Sequence, residues 1–233
     1  MSEYSKNPKL AGTNIVDCIP QTGECPRQCP ECFYNGGRFF RTLDEPWMPS
    51  EEEAAGKIVR VNSGHDSNVE KDLVLEKTKQ YFDRFYNTSV PNFDFPGPVV
   101  FTCNGGKKGI VKLADPTYNL MFVRVRTNSW DLEPIDLALE HYWHKHNVPV
   151  VLTFMRYYDI KSLPVAARND YEWRKSILNE YFCIKQESVL SIMSKYKGTG
   201  LRSCGTPVSS VCADCGNCEY LYWQAVRRIK ANE

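Results

Sequence analysis

No stretch of this 233-residue chain is apolar for long enough to cross a bilayer. The strongest, residues 148–155, contains Pro149 and falls far short of the roughly 20 residues that a spanning helix needs. Neither sign of charge is in excess. Lys plus Arg number 29 and Asp plus Glu 28, a net charge of +1, so general affinity for nucleic acid or acidic lipid is not expected. The opening Met1-Ser2-Glu3-Tyr4-Ser5-Lys6-Asn7-Pro8 is polar and lacks the apolar centre of a secretory leader. Lys107-Lys108 after Gly105-Gly106 lacks the G-x4-G-K-[ST] spacing of a phosphate loop. There is no internal repeat, low-complexity run or linker, and residues 87–98, rich in Pro and Asn, read as a loop inside one domain. These absences favour a soluble, cytoplasmic protein in a reducing compartment. There, clustered cysteines serve metals more often than disulfides.

Hydrophobic residues make up 42% of the chain and charged residues 24%, enough for a sizeable core and wrong for a disordered chain. That fits one large domain, or a domain with a small appendix. Against this ordinary background stand 10 cysteines, too few for a disulfide scaffold of this length and too many to be incidental. Cys25, Cys29 and Cys32 form one group, and Cys204, Cys212, Cys215 and Cys218 form another. Cys18, Cys103 and Cys183 stand apart.

Between the groups, strand and helix patterns alternate. Apolar runs at 14–19, 57–61, 98–103, 121–126 and 148–154 read as strands, and a short strand is expected near 201–204. Ser50-Glu51-Glu52-Glu53 is a capping box that starts a short helix ending near Gly56. Asn68 is placed to cap a long helix to about Tyr86, with Val69, Leu73, Phe82 and Phe85 along one face. Pro134 suits the first turn of a helix to about His146. Further helices are expected at about 169–182, 186–196 and 219–230. About six strand–helix units imply an α/β fold with a parallel sheet and helices outside it. An open doubly wound sheet and a curved partial barrel both satisfy that pattern.

The first cysteine group follows the first strand as Gly23-Glu24-Cys25-Pro26-Arg27-Gln28-Cys29-Pro30-Glu31-Cys32-Phe33-Tyr34, with C-x3-C-x2-C spacing. Three thiolates this close can wrap one face of a cuboidal iron–sulfur cluster, which normally takes four protein ligands. A set of three leaves one iron open, and an open metal position is a catalytic feature. Zinc, completed by Cys18 or a distant His, is the plainer alternative.

This spacing, placed after the first strand, resembles the radical S-adenosylmethionine (radical SAM) superfamily. The resemblance covers about residues 12–204, and C-x3-C-x2-C is its specific part. It implies a partial (β/α)6 TIM-like barrel in which Cys25, Cys29 and Cys32 hold a catalytic [4Fe–4S] cluster. S-adenosyl-L-methionine would chelate the open iron. Glu31 stands where the family usually has an aromatic residue, and Phe33 and Tyr34 follow, placed to pack near the adenine. Asn62, Ser63, Gly64 and Asp66 occupy the turn after the second strand, where the family binds the amino group of the cofactor. Thr102 and Asn104 end a later strand, and Arg124, Arg126, Thr127 and Asn128 occupy the place used for ribose and carboxylate.

Cys212-Ala213-Asp214-Cys215-Gly216-Asn217-Cys218 has the C-x2-C-x2-C spacing that wraps one cluster, with Cys204 as fourth ligand. Structural zinc more often uses two separated pairs, so an auxiliary [4Fe–4S] cluster is favoured and zinc is the alternative. The expected division is a barrel over 1–203 and a cluster-binding extension over 204–233. The implied activity is reductive cleavage of S-adenosylmethionine to a 5′-deoxyadenosyl radical that acts on a small molecule or peptide. A reductant such as flavodoxin or ferredoxin would supply the electron. The competing expectation is a non-catalytic, zinc-stabilised module that binds protein or nucleic acid.

Other residues invite plainer readings. His141, His144 and His146 lie near a helix C-terminus, where the dipole favours them. On an α-helix 141 and 144 share a face and 146 does not, so they are not taken as metal ligands. Trp130, Trp143, Trp173 and Trp223 read as core or interface residues, and Arg227, Arg228 and Lys230 as solvent-facing. Cys103 reads as a small buried hydrophobe.

Overall fold

Runs of β-branched and aromatic residues supply the strands, because such side chains pack well on a pleated surface. The computed structural model describes residues 7–27, 29, 44–103, 113–175, 180–205, 209 and 211–232. Cys32, Phe33 and Asn104 lie outside them. After a 3-10 turn at Pro8–Leu10 come β1 (Ile15–Cys18), α1 (Glu51–Ala54), β2 (Ile58–Val61) and α2 (Lys71–Thr78). Then follow β3 (Arg84–Thr88), β4 (Val99–Cys103), β5 (Leu120–Thr127) and α3 (Glu133–Ala138), which continues as a π-helix over Leu139–His144. β6 (Val150–Phe154), β7 (Tyr171–Lys175), β8 (Glu180–Ile184), α4 (Gln186–Lys195) and β9 (Leu201–Ser203) complete the sheets. The chain then forms α5 (Cys212–Cys215) and α6 (Asn217–Lys230).

Seven strands pair in parallel in the order β1-β2-β3-β4-β5-β6-β9, and β7 and β8 form a separate antiparallel hairpin. Each strand adds to the same edge, so right-handed crossovers bring the connecting helices to one face, and the sheet curls into a half-barrel. Alternation along the strands sends Val16, Val59, Tyr86, Phe101, Val123 and Leu152 outward, against Val74, Ile135, Leu139, Val189 and Ile192 of the helices. The opposite set, Ile15, Ile58, Phe85, Val100, Phe122 and Val151, faces inward and packs on Leu221, Tyr222 and Ala225 of α6. The C-terminal helix therefore fills the lower part of the concave face. It is part of the same core as the sheet.

One step further along each strand, the inward positions turn polar. Asp17, Arg60, Asn87, Thr102 and Arg124 follow Ile15, Ile58, Phe85, Val100 and Phe122 at the same parity. Arg60 Nε donates to Asp17 Oδ1 at 2.6 Å, with the Asp17 side chain fully buried and Arg60 nearly so. The inner face thus has an apolar floor covered by α6 and a polar layer above it.

Three expectations change. The helix expected over 68–86 spans only Lys71–Thr78, and Arg84–Thr88 is a seventh parallel strand beyond the six expected. Phe82 and Phe85 share helical spacing, yet Phe82 is 93% exposed while Phe85 is fully buried. The β3–β4 connection buries Phe93 and Phe95 instead of a helix. Asn119 Nδ2 secures it by donating to the carbonyls of Phe93, Phe95 and Gly97 at 2.9, 3.0 and 3.1 Å.

The helix expected over 169–182 is a 3-10 turn followed by the β7–β8 hairpin. Trp173 meets Phe182 across that hairpin with ring centroids 4.8 Å apart, and Lys175 pairs with Glu180, the cross-strand contacts that stabilise hairpins. Arg228 does not face solvent freely. Its Nε donates to Tyr118 O at 2.8 Å and its Nη2 to Leu120 O, which ties α6 to the start of β5. Among the described residues no helix is long and apolar enough to cross a membrane.

The strand assignment of 84–88 separates two phenylalanines that a helix would treat alike. Phe85→Ala is expected to cost about 3–5 kcal/mol in urea denaturation, and Phe82→Ala no more than about 0.5 kcal/mol. Comparable losses at both positions would contradict the strand.

Candidate cofactor site at the carboxyl ends of the strands

Parallel α/β sheets and barrels gather ligands at the carboxyl ends of their strands, where the loops converge. β1 ends at Cys18, and the next residue, Ile19, forms an antiparallel bridge with Trp47. Ile19 N–H donates to Trp47 O at 2.7 Å and Trp47 N–H to Ile19 O at 2.8 Å. This bridge brings together the two residues that flank the segment bearing the first cysteine group. Within that segment Cys25 and Cys29 are half-buried. Gln21 Nε2 joins its start to the turn after β2, donating to Asp66 O at 3.1 Å and Val69 O at 2.8 Å. Cys29 Sγ lies 3.7 Å from Ser89 Oγ, just beyond β3.

The turn after β2 begins at Asn62, in the left-handed conformation with φ 61°, which Asn tolerates better than most residues. Its N–H donates to Cys18 O at 2.7 Å and its Nδ2 to Ser67 Oγ at 3.1 Å. Asp66 is buried, and its carboxylate accepts from Asn68 N–H, Thr88 Oγ1, Ser89 N–H and Ser89 Oγ at 2.7–3.0 Å. These four bonds make Asp66 the staple between the β2 and β3 turns, and through Ser89 it supports Cys29. Gly64 and His65 are half-buried beside it. Burial lowers the His65 pKa, opposed by the backbone and carboxylate of Asp66.

Arg124 reaches across two strands, its Nη1 donating to Thr102 Oγ1 at 3.3 Å and Asn87 Oδ1 at 3.4 Å. Arg126 stands two residues further along β5, opposite Thr153 of β6. Asn128 caps the chain ahead of α3, its Oδ1 accepting from Trp130 N–H at 3.0 Å and Asp131 N–H at 2.7 Å. Thr127 Oγ1 donates to Asn128 O at 3.3 Å.

At this end of the sheet, Gln21 Oε1, Asn62 Oδ1, Ser63 Oγ and Thr153 Oγ1 are buried without a hydrogen-bond partner among the described residues. Each such atom costs roughly 1–3 kcal/mol unless water or another polar group fills its valence. Gln21 and Thr153 were not singled out by sequence. Nothing in their local pattern marks an amide or hydroxyl that folding leaves unsatisfied.

The second cysteine group lies on the open side of the half-barrel. α5 packs on the Pro8–Leu10 turn, and a pocket of about 80 Å³ is lined by Cys212, Cys215 and Cys218 together with Gly12, Thr13 and Ile15. Gly216 separates α5 from α6 in the left-handed conformation, φ 60°, and its N–H caps Cys212 O at 2.9 Å. Both edges of the sheet are tied to the first turn of α6. Asn217 Nδ2 donates to Ser203 O at 2.7 Å on β9, and Asn14, just before β1, donates to Glu219 Oε1 at 3.0 Å.

Cys204 directly follows β9, its N–H bonded to Leu152 O at 2.7 Å. It interacts electrostatically with Cys212 and Cys218, and Cys212 with Cys215. Burial, reinforced by Cys204, pushes Cys218 up to about 12, and burial likewise raises Cys212, with Arg60 opposing in both. Lys9 is lowered to about 8 by burial and by Arg156, while Cys204 and Cys212 pull it back. Basic side chains thus lie near thiols whose ionisation burial disfavours. No three of these four sulfurs lie within 4.8 Å of one another.

Cys103 is buried in the outer core, its thiol pushed up to about 12 by burial, as a small hydrophobe would be. No protein-family model matches this chain, and comparisons with curated proteins and with solved structures return no match.

Gly216 faces open space, so only its backbone angle resists a side chain. Gly216→Ala is expected to cost roughly 1–2 kcal/mol, the strain of a left-handed alanine, measured by urea denaturation. No loss would mean that the α5–α6 junction relaxes.

Proposed function

We propose that this chain is a radical SAM enzyme whose catalytic cluster is held by Cys25, Cys29 and Cys32. The observation that carries the reading is the position of the C-x3-C-x2-C segment. It follows the carboxyl end of β1 in a curled parallel sheet, and the Ile19–Trp47 bridge joins the residues that flank it. Cys29 rests against the β3 turn. When bound, a reduced [4Fe–4S] cluster and S-adenosylmethionine supply a 5′-deoxyadenosyl radical that abstracts hydrogen from substrate. The electron comes from outside the chain, from a reductant such as flavodoxin or ferredoxin.

The chain's part is to bind and orient. The buried oxygens of Gln21, Asn62 and Ser63 are acceptors suited to an ammonium group. Arg124 and Arg126 are donors suited to a carboxylate. Together they fit the two ends of an amino-acid moiety such as that of S-adenosylmethionine. Thr102 and Asn87 hold Arg124, and Asp66 holds the turns. Phe33 and Asn104 complete the proposed cofactor set from outside the described residues. Cys204, Cys212, Cys215 and Cys218 hold a second [4Fe–4S] cluster, favoured over zinc by the C-x2-C-x2-C spacing of the sequence. The substrate class proposed is a small molecule or peptide.

Anaerobic reconstitution is expected to give about seven to eight irons per chain, two [4Fe–4S] clusters, and about four in Cys29→Ala. With dithionite and S-adenosylmethionine, wild type should release 5′-deoxyadenosine and Cys29→Ala none. Colourless protein holding only zinc, or 5′-deoxyadenosine from Cys29→Ala, would overturn the assignment.

The two groups should also differ in their effect on stability. Cys218→Ser, at the clasp that ties α6 to both sheet edges, is expected to lower the thermal midpoint of the reconstituted protein. Cys29→Ala, in a segment outside the sheet, should leave it nearly unchanged. Equal shifts in differential scanning fluorimetry would contradict the structural role given to the second group.

A further inference from the structure

His141 and His146 lie five residues apart in the helix between β5 and β6. A π-helix closes its hydrogen bonds from i to i+5, so residues at that spacing stack on one face, whereas an α-helix turns them apart. The π-helical stretch over Leu139–His144 therefore replaces the expected 141–144 pairing with 141–146. The two imidazole centroids are 5.4 Å apart. Asp115, in the segment ahead of β5, completes the group: one ligand atom from each of Asp115, His141 and His146 lies within 4.8 Å of the others.

The surroundings hold this arrangement. Ala114, next to Asp115, is gripped on both sides of its backbone. Its N–H donates to Tyr142 Oη at 3.0 Å, and its carbonyl lies 3.0 Å from His141 Nε2. Tyr142 is fully buried, so the grip is anchored in the core. With the His141 proton on Nε2 and directed to that carbonyl, Nδ1 keeps its lone pair. A backbone carbonyl orienting the far nitrogen is the usual support of a ligating imidazole.

We propose that Asp115, His141 and His146 bind one divalent transition metal of the zinc type. Two imidazoles disfavour magnesium and calcium, which prefer oxygen. Three protein ligands leave a coordination position for water. The site lies at the amino ends of β5 and β6, at the opposite ends of the strands from Cys25 and Cys29, and is independent of the cysteine groups. Bound metal pins the segment entering β5 to the helix entering β6.

The test is Zn²⁺ uptake by the full chain, purified anaerobically with its cysteine groups already loaded, measured by equilibrium dialysis and by thermal midpoint. Wild type and His144→Ala should bind one more equivalent than His146→Ala, and Zn²⁺ should raise their midpoints but not that of His146→Ala. Asp115→Asn should weaken uptake by at least the roughly tenfold that losing even an outer-shell partner costs. His146 is exposed, so its substitution leaves the packing intact, and circular dichroism verifies this. Equal uptake by wild type and His146→Ala, or no equivalent beyond the cysteine sites in wild type, would overturn the proposal.

Discussion

Successive side chains of a strand point to opposite faces, and in this molecule all seven parallel strands are bound by that rule at once. Because every crossover returns on the same side, one face receives the helices and the other must find its own cover. α6 covers half of it, burying Leu221, Tyr222 and Ala225 against Ile58, Phe85 and Val151. The other half is left polar, and there Asp17, Arg60, Asn87, Thr102 and Arg124 satisfy one another across strands. The polar layer and the loops above it form the candidate site. That site is where the sheet runs out of helix to bury it.

The C-terminal cysteines stand where the half-barrel opens. Cys204 extends β9, whereas Cys212, Cys215 and Cys218 sit against the start of β1, and α6 is hydrogen bonded to both edges. This arrangement makes 204–233 less an appendix than a closure. Arg60 opposes the upward shift that burial imposes on Cys212 and Cys218, and Lys9 does the same for Cys212.

Much of the fold was legible in the sequence because a buried parallel strand announces itself as a short, continuous apolar run. The β1, β2, β4, β5 and β6 runs are largely of that kind, and the Ser50 capping box forms as read. β3 was hidden because Arg84-Phe85-Tyr86-Asn87-Thr88 mixes polar and aromatic residues on both faces, and Phe82 mimics a helical neighbour of Phe85. The β7–β8 hairpin was hidden because its charged exposed face obscured the alternation. At the site, the cysteine spacings could be read directly. The four-bond role of Asp66 could not, since it depends on two turns meeting in space. The pairing of His141 with His146 was likewise invisible, because helical reasoning assumes 3.6 residues per turn and nothing in Leu139–His144 marks the wider turn.

The position of α6 also bears on how the chain is made. Its inward floor is assembled from strands spread over residues 15–154, yet the helix that covers that floor lies at 217–230. During synthesis the floor therefore stays wet and exposed until nearly all of that sequence has left the ribosome. The half-barrel is completed late and from the inside, and its closing step brings the second cysteine group together.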